Sequence, residues 1–441
     1  NGKAPSPYLS SVIQLYRILF PVLSLLLSPY YLRRMFRRGG YGKKILYRLG
    51  YWPKLPKKVS GRKRIWIQAV SVGELSSISR MLLELLNDSS IEVVLSGTTS
   101  TGLNLADRYY GGRALAQGPF PLDWLPFSKR AWKRIDPDLA ILVDSELWPE
   151  HFRQANDRKV PLLIINARLS DRSFSRLRSS PFARSLLIPS NLMVLAASER
   201  QRKRWLELNV REDNLQVSGN LKIDAIDFKK LESDEKETLR KEFGFSSQSL
   251  VMAGISTWPG EEKMLLEIVQ RLRLENRDVR LLLVPRHAER RMEVKKVIQS
   301  SSLPHHLRSA SHLAPPDNVV YLADTTGELS RLVQVADFAF IGKTLPPNHG
   351  GQNPIEPIAL SIPLVVGPHY QNFQETCTEM FARGAAQPCE TSNQVVAELL
   401  ELAGNPKKRE ELSHASKAWV EAQGTPTRFT LHFIREMLKE P

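Results

Sequence analysis

Residues 64–74 read RIWIQAVSVGE, an apolar and aromatic run that ends in a small-residue turn containing Gly73 and then a carboxylate, Glu74. A strand of this kind, followed by a turn and a helical stretch from about Leu75, opens a parallel-sheet unit whose crossover helices cover both faces. The same grammar recurs downstream. One series of short β-rich runs covers residues 64–70, 91–95, 139–143, 162–165 and 192–196; a second covers 250–254, 280–284, 319–322, 338–341 and 364–366. Helical stretches separate the runs, which predicts an α/β chain of two Rossmann-like domains facing a cleft. The expected organisation is a membrane-associated leader over 1–63, an N-terminal domain over 64–222 and a charged linker over 223–245. A C-terminal domain over 246–424 and a last helix over 425–441, packing back on the N-terminal domain, complete it.

Glu74 is also the first acidic residue of the 441. Of 62 Lys and Arg, fifteen precede it, leaving 47 basic against 46 acidic residues for everything after, so nearly all of the net +16 sits in the leader. A basic leader on an almost neutral body argues against nucleic acid, which is bound by a basic face on the folded domain. Residues 11–32, SVIQLYRILFPVLSLLLSPYYL, are apolar but interrupted by Arg17, Pro21 and Pro29; the clean run from Ile18 to Leu27 is about half of a spanning helix. Tyr16, Tyr30 and Tyr31 at its edges, followed by Arg33, Arg34, Arg37, Arg38, Lys43 and Lys44, suit the headgroup layer of an anionic membrane. The alternatives are a signal peptide, which would show a small-residue cleavage site, and a helix pair packed on the body. Two cysteines, Cys377 and Cys389, are too few for a disulfide framework, and the nine histidines form no metal-binding spacing.

Ligands of open α/β sheets bind beyond the carboxyl ends of the strands, so the turns there hold the candidate chemistry. No P-loop or GxGxxG follows a strand, which disfavours nucleoside triphosphate hydrolysis and NAD binding. Glu74 is either a first-turn acid that complements a helix dipole or a general base. Asp144 and Glu146 in VDSELWP either cap the helix after Pro149 or belong to a site. Lys222, in SGNLKID, is either solvated or placed to neutralise developing phosphate charge. In the second series, Ser256 and Thr257, Arg286 with His287, the turn Thr326–Gly327–Glu328, and Asn353 and Glu356 flanking Pro354 together suggest a nucleotide site. The segment ARLSDRSFSRLRSSPFAR presents Arg168, Arg172, Arg176, Arg178 and Arg184 either to solvent or to an anionic acceptor; its few aromatics argue against single-stranded nucleic acid.

In order, the leader, AVSVGE, SGTTSTG, SELWP, NARLSDRS, SGNLKID, STWPGEE, VPRHAER, TTGEL, GGQNPIEP and GPHYQNF resemble the motifs of the 3-deoxy-D-manno-octulosonic acid (Kdo) transferases, membrane-associated glycosyltransferases of GT-B fold. The resemblance covers essentially the whole chain. It implies transfer of Kdo from CMP-Kdo to lipid A precursor with inversion, no metal and no cofactor beyond the co-substrate, at the cytoplasmic face of a Gram-negative inner membrane. Carried over by position, Glu74 matches the general base, and Glu146 and Lys222 match groups that stabilise the transition state. Pro285, Arg286, Thr326, Gly327, Glu328, Asn353, Pro354, Ile355 and Glu356, with Ser256 and Thr257, fall to the CMP side; Ser96, Thr98, Arg168 and Arg172 fall to the acceptor side. Gln68, Asp144, Trp258, Lys343 and Thr344 depart from the family pattern. The rival readings are a GT-B transferase of another nucleotide sugar, a sugar-nucleotide epimerase and a non-enzymatic membrane-binding module.

Overall fold

In the computed structural model, which describes residues 7–37, 40–69, 71–189, 191–224 and 230–439, the chain forms two units: Asn1–Ala225 with Thr425–Pro441, and Ile226–Gly424. Arg38, Val70 and residues 225–229 of the expected linker lie outside the described residues, as do the side chains of Tyr30, Tyr31, Arg34, Arg37 and Lys43.

The first unit holds β1 Lys63–Gln68, β2 Ile91–Gly97, β3 Ala116–Pro119, β4 Leu139–Val143, β5 Leu162–Ala167, β6 Leu192–Ala196 and β7 Leu215–Val217. All pair in parallel in the order β3-β2-β1-β4-β5-β6-β7. Strand order reverses between β1 and β4, the topological switch point where a crevice opens in such sheets. Burial explains the apolar run of β1. Ile65 and Ile67 enter a core with Leu75, Met81 and Ile141, while Trp66 points the other way into a core with Trp52, Trp132 and Phe152. The Pro426–Lys439 helix belongs to this unit: Leu431 and Ile434 join the Ile65 core, and the Thr427 amide donates to Asp224 at 2.7 Å.

The second unit holds β8 Leu250–Thr257, β9 Val279–Pro285, β10 His305–Leu307, β11 Val320–Leu322, β12 Phe338–Ile341, β13 Leu364–Val366 and β14 Gln387–Pro388, in the order β10-β11-β9-β8-β12-β13-β14. Its switch point lies between β8 and β12. Within the stretch expected as linker, Ser233–Glu242 is a helix with Leu239 buried, followed by Phe243 stacked on Tyr321 at 4.1 Å. The apolar side chains of that charged stretch thus pack into the second unit rather than bridging to it.

The four strands absent from the sequence reading, β3, β7, β10 and β14, are the four sheet edges. An edge strand is short and paired on one side only, so it tolerates Gly118, Pro119 and Pro388 and lacks the long apolar run that marks an interior strand.

The leader forms α1, Pro7–Arg37, continuous through Pro21 and Pro29. Its window Val12–Pro29, of mean hydropathy 1.6, is long and apolar enough to cross a membrane, more than the interrupted run suggests from sequence. Most of it is exposed: Ile18, Leu25 and Leu26 are 66%, 74% and 71% accessible.

Candidate active site

Three turns of the first unit gather acidic and basic groups beside its switch point. After β1, Ser71 caps the Val72–Ser77 helix by accepting the Glu74 amide at 3.3 Å, which puts Glu74 in the first turn; the helix starts three residues earlier than the sequence suggests because of that cap. After β4, Asp144 adopts a left-handed conformation, φ 62°, and the chain runs through Glu146 and Trp148 into the Pro149–Asp157 helix. The Trp148 indole donates to Glu146 Oε2 at 2.6 Å. After β7, the four-residue Leu221–Asp224 helix carries Lys222.

Asn166, at the end of β5 and missed by sequence reasoning, holds two of these turns together. It is fully buried at φ 52°, its Nδ2 donates to Asp144 Oδ1 at 2.6 Å, and its Oδ1 accepts the Leu221 amide at 3.1 Å. The signal available was the polar residue ending an otherwise apolar strand, LLIIN.

Electrostatics couple the group. Burial pushes Glu146 up to about 8, Glu74's charge raises it further and Asp144 adds to that, against the Trp148 hydrogen bond. Burial lowers Lys222 from the ordinary lysine range, opposed by Asp144 and Glu74 and reinforced by Arg168. Glu74 and Asp144 thus act on both Glu146 and Lys222, and Arg168 acts on Lys222.

Not every expected acceptor residue joins them. Ser96 is buried and its hydroxyl is spent on the core, accepting Trp66 Nε1 at 2.9 Å and donating to Gln68 Oε1 at 2.7 Å. The apolar packing of β2 turns this hydroxyl inward. Thr98 accepts Gln68 Nε2 at 3.2 Å, and Arg172 is exposed on the Asp171–Ser179 helix.

The second unit builds its own strand-end site. Glu261, also missed from sequence, receives the amides of Trp258 and Lys343 on Oε2 at 2.8 and 2.9 Å, and those of Thr344 and Leu345 on Oε1 at 3.1 and 3.3 Å. It ties the turn after β8 to the turn after β12, across the switch point. Burial pushes its carboxyl up to about 7 despite these four donors. Gly342 makes the approach possible, since a Cβ there would lie 2.2 Å from the Ser256 carbonyl oxygen. Lys343, at φ 63°, lays its ammonium 4.6 Å from the Trp258 ring centre, and Trp258 meets His287 edge-on at 5.5 Å.

Ser256 is left-handed, φ 53°, and the buried Thr257 Oγ1 and Trp258 Nε1 have no hydrogen-bond partner among the described residues. Burial raises Glu356, and the charge of Arg286 opposes that rise, so the two residues neighbour each other; the Asn353 Oδ1 accepts the Ile355 amide at 3.1 Å, and Pro354 and Ile355 are buried beneath. Pro285 ends β9 and is buried, with Arg286 exposed after it. Thr326 and Gly327 are exposed, whereas the Glu328 carboxylate is gripped by Arg308 through two bonds of 2.8 and 2.6 Å, and with Thr325 this holds it down at about 2 against burial. The carboxylate of that turn is therefore already engaged within the unit.

Two parallel seven-stranded α/β sheets with polar groups at both switch points define a GT-B-like protein. The structural neighbours agree on the fold alone: a UDP-GlcNAc 2-epimerase from Neisseria meningitidis (TM-score 0.57, 14% identity, covering 86% of this chain and 100% of that one) and a glycosyltransferase from Rickettsia africae (0.55, 15%, 87% and 100%). Sequence goes further. A profile of the 3-deoxy-D-manno-octulosonic-acid transferases (kdotransferases) matches residues 43–225. The 3-deoxy-D-manno-octulosonic acid transferase of Haemophilus influenzae is 30% identical over 357 residues, covering 80% of this chain and 82% of that protein, and the Bordetella pertussis transferase is 29% identical over 383 residues, covering 85% and 87%. The chain belongs to the Kdo transferase family.

Proposed function

We propose that the chain moves Kdo from CMP-Kdo to a hydroxyl of lipid A precursor at the cytoplasmic face of a Gram-negative inner membrane, with Glu74 as general base. The acceptor oxygen attacks the anomeric carbon as the bond from that carbon to the phosphate oxygen breaks. The acceptor proton passes to Glu74, the electron pair leaves with CMP, and the configuration inverts.

The observation that carries this reading is one carboxyl raised beside another: Glu146 is pushed up to about 8, by burial first and by Glu74's charge second. Two carboxyls driven apart in this way divide the labour at neutral pH, one ionised to accept a proton and one protonated to donate a hydrogen bond. Trp148 already donates to Glu146 Oε2, so the proton of Glu146 belongs on Oε1. Lys222 supplies a positive charge beside them. On the donor unit, Arg286 meets leaving phosphate charge, Glu356 accepts ribose hydroxyls, and the unpaired Thr257 hydroxyl and Trp258 N–H gain partners in the nucleotide.

Membrane attachment rests on the exposed apolar residues of α1 together with the basic residues that follow it. Purified protein given CMP-Kdo and lipid A precursor in detergent, with products resolved by mass, tests the proposal. Glu74→Gln should lower the rate about 10²–10⁴-fold with little change in thermal unfolding; no transfer by the wild type, or wild-type transfer by the variant, refutes it.

A further inference from the structure

Sequence alone leaves the leader as a membrane anchor or a helix pair packed on the body; in the structure two of its side chains reach into the first unit. Beyond the buried Val12 and Ile13, Tyr16 Oη donates to Asp123 Oδ2 at 2.6 Å. Arg17 forms a two-pronged pair with Glu150, Nε to Oε2 at 2.8 Å and Nη2 to Oε1 at 3.1 Å, and the Trp124 indole donates to the Arg17 carbonyl at 3.2 Å. Both receiving carboxylates are completely buried.

These carboxylates sit at one helix start. Asp123 accepts the amides of Glu150 and His151 at 3.2 and 2.9 Å, capping the Pro149–Asp157 helix, whose first turn contains Glu150. The residue preceding that helix is Trp148, which holds Glu146 by its indole and packs on Phe120 with ring centres 5.6 Å apart. On either side of Arg17 runs the exposed face of α1, with Leu15, Ile18, Leu19, Val22, Leu25 and Leu26. One helix turn of α1 thus joins a lipid-facing surface to the start of the helix that anchors the Glu146 loop.

We infer that Tyr16 and Arg17 are positioning residues, which lock the membrane-facing helix to the Glu146–Trp148 loop and make α1 part of the framework of the acceptor site rather than a detachable anchor. The inference rests on the proposed role of Glu146 for its catalytic consequence, though not for the physical link itself. A buried carboxylate that loses its cation has to be rehydrated or protonated, and either change disturbs the helix start it occupies. The neutral isostere Gln at 150 removes that demand while keeping the shape.

Full-length Arg17→Met, Glu150→Gln, the double variant and Tyr16→Phe should be compared on vesicles of phosphatidylethanolamine and phosphatidylglycerol. Three readouts are needed: vesicle co-sedimentation, hydrogen exchange over residues 144–152, and kcat and KM with CMP-Kdo. Arg17→Met should sediment with vesicles like the wild type, exchange at least about 10-fold faster over 146–151, and lose about 10-fold or more in kcat with KM for CMP-Kdo within about twofold. The double variant should recover most of both losses, and Tyr16→Phe should move both readouts the same way by about threefold, which keeps the test open if Arg17→Met does not fold. Unchanged exchange over 146–151 in Arg17→Met or Tyr16→Phe, a fall in kcat that merely tracks lost vesicle binding, or a double variant no better than Arg17→Met each overturns the link. If the wild type does not transfer Kdo, the functional reading fails while the exchange measurement still decides the link.

Discussion

Glu146→Gln separates the electrostatics of the first-unit site from its packing, because the amide keeps the shape and a hydrogen-bond donor but cannot ionise. In the folded protein this carboxyl lies at about 8, against an ordinary 4.5, with burial as the main cause and Glu74 the next. Between those two values the folded state holds a proton that the unfolded state has released, so stability falls as pH rises. The native state is unpenalised below about 4.5 and bears the full cost above 8. At 1.36 kcal/mol per pH unit the cost is about 5 kcal/mol at most, and partial exposure with solvent screening brings it to about 2–5 kcal/mol. The Gln variant lacks this slope. Its unfolding temperature should match the wild type near pH 5 and exceed it by roughly 4–20 °C at pH 9, at about 2–4 °C per kcal/mol for a unit of this size. Transfer by the wild type should fall above pH 8 as Glu146 ionises. The variant, which keeps a donor at that position, should lack that alkaline limb. Scanning calorimetry from pH 5 to 9 is the assay; a stability difference constant across that range would refute the electrostatic origin of the shift and with it the division of labour between Glu74 and Glu146.

Two further perturbations probe the donor unit. Glu261→Gln turns one acceptor oxygen toward backbone donors as an amide, losing two bonds to the turns after β8 and β12; it should cost about 2–4 kcal/mol and weaken CMP at least about 10-fold in calorimetric titration, whereas unaltered affinity would separate these turns from the nucleotide. Gly342→Ala forces a methyl group to 2.2 Å from the Ser256 carbonyl and should destabilise the second unit by about 1–3 kcal/mol, visible as a lower urea midpoint; an unchanged midpoint would mean the two turns part freely.

Interior strands were legible because a parallel strand buried on both faces needs a run such as IWI or LAILV, and the turns after them were legible because small and charged residues follow. The edges were not legible, since HHL in β10 and QP in β14 carry no such constraint. Glu74, Glu146 and Lys222 stood out as charged groups ending apolar runs. Asn166 and Glu261 did not, because their work is done on backbone amides, 55 residues away in the chain for Asn166 and 82 to 84 for Glu261 in the turn after β12. The same limit hid the fate of Ser96 and Glu328: a motif records which residue stands at a position, not whether its polar atoms are already engaged.

The sequence by itself determined the alternation of strand and helix, the charge segregated into the leader and the family-like order of the turns. Those features depend on local pattern and composition, which a linear chain displays openly. The tertiary structure decided that Arg17 pairs with Glu150 and that Asn166 joins the Asp144 and Lys222 turns. It also decided that Glu74 and Glu146 come close enough for one charge to shift the other. Coulomb and hydrogen-bond terms act over a few ångströms of space, and only folding converts distance along the chain into distance between charges.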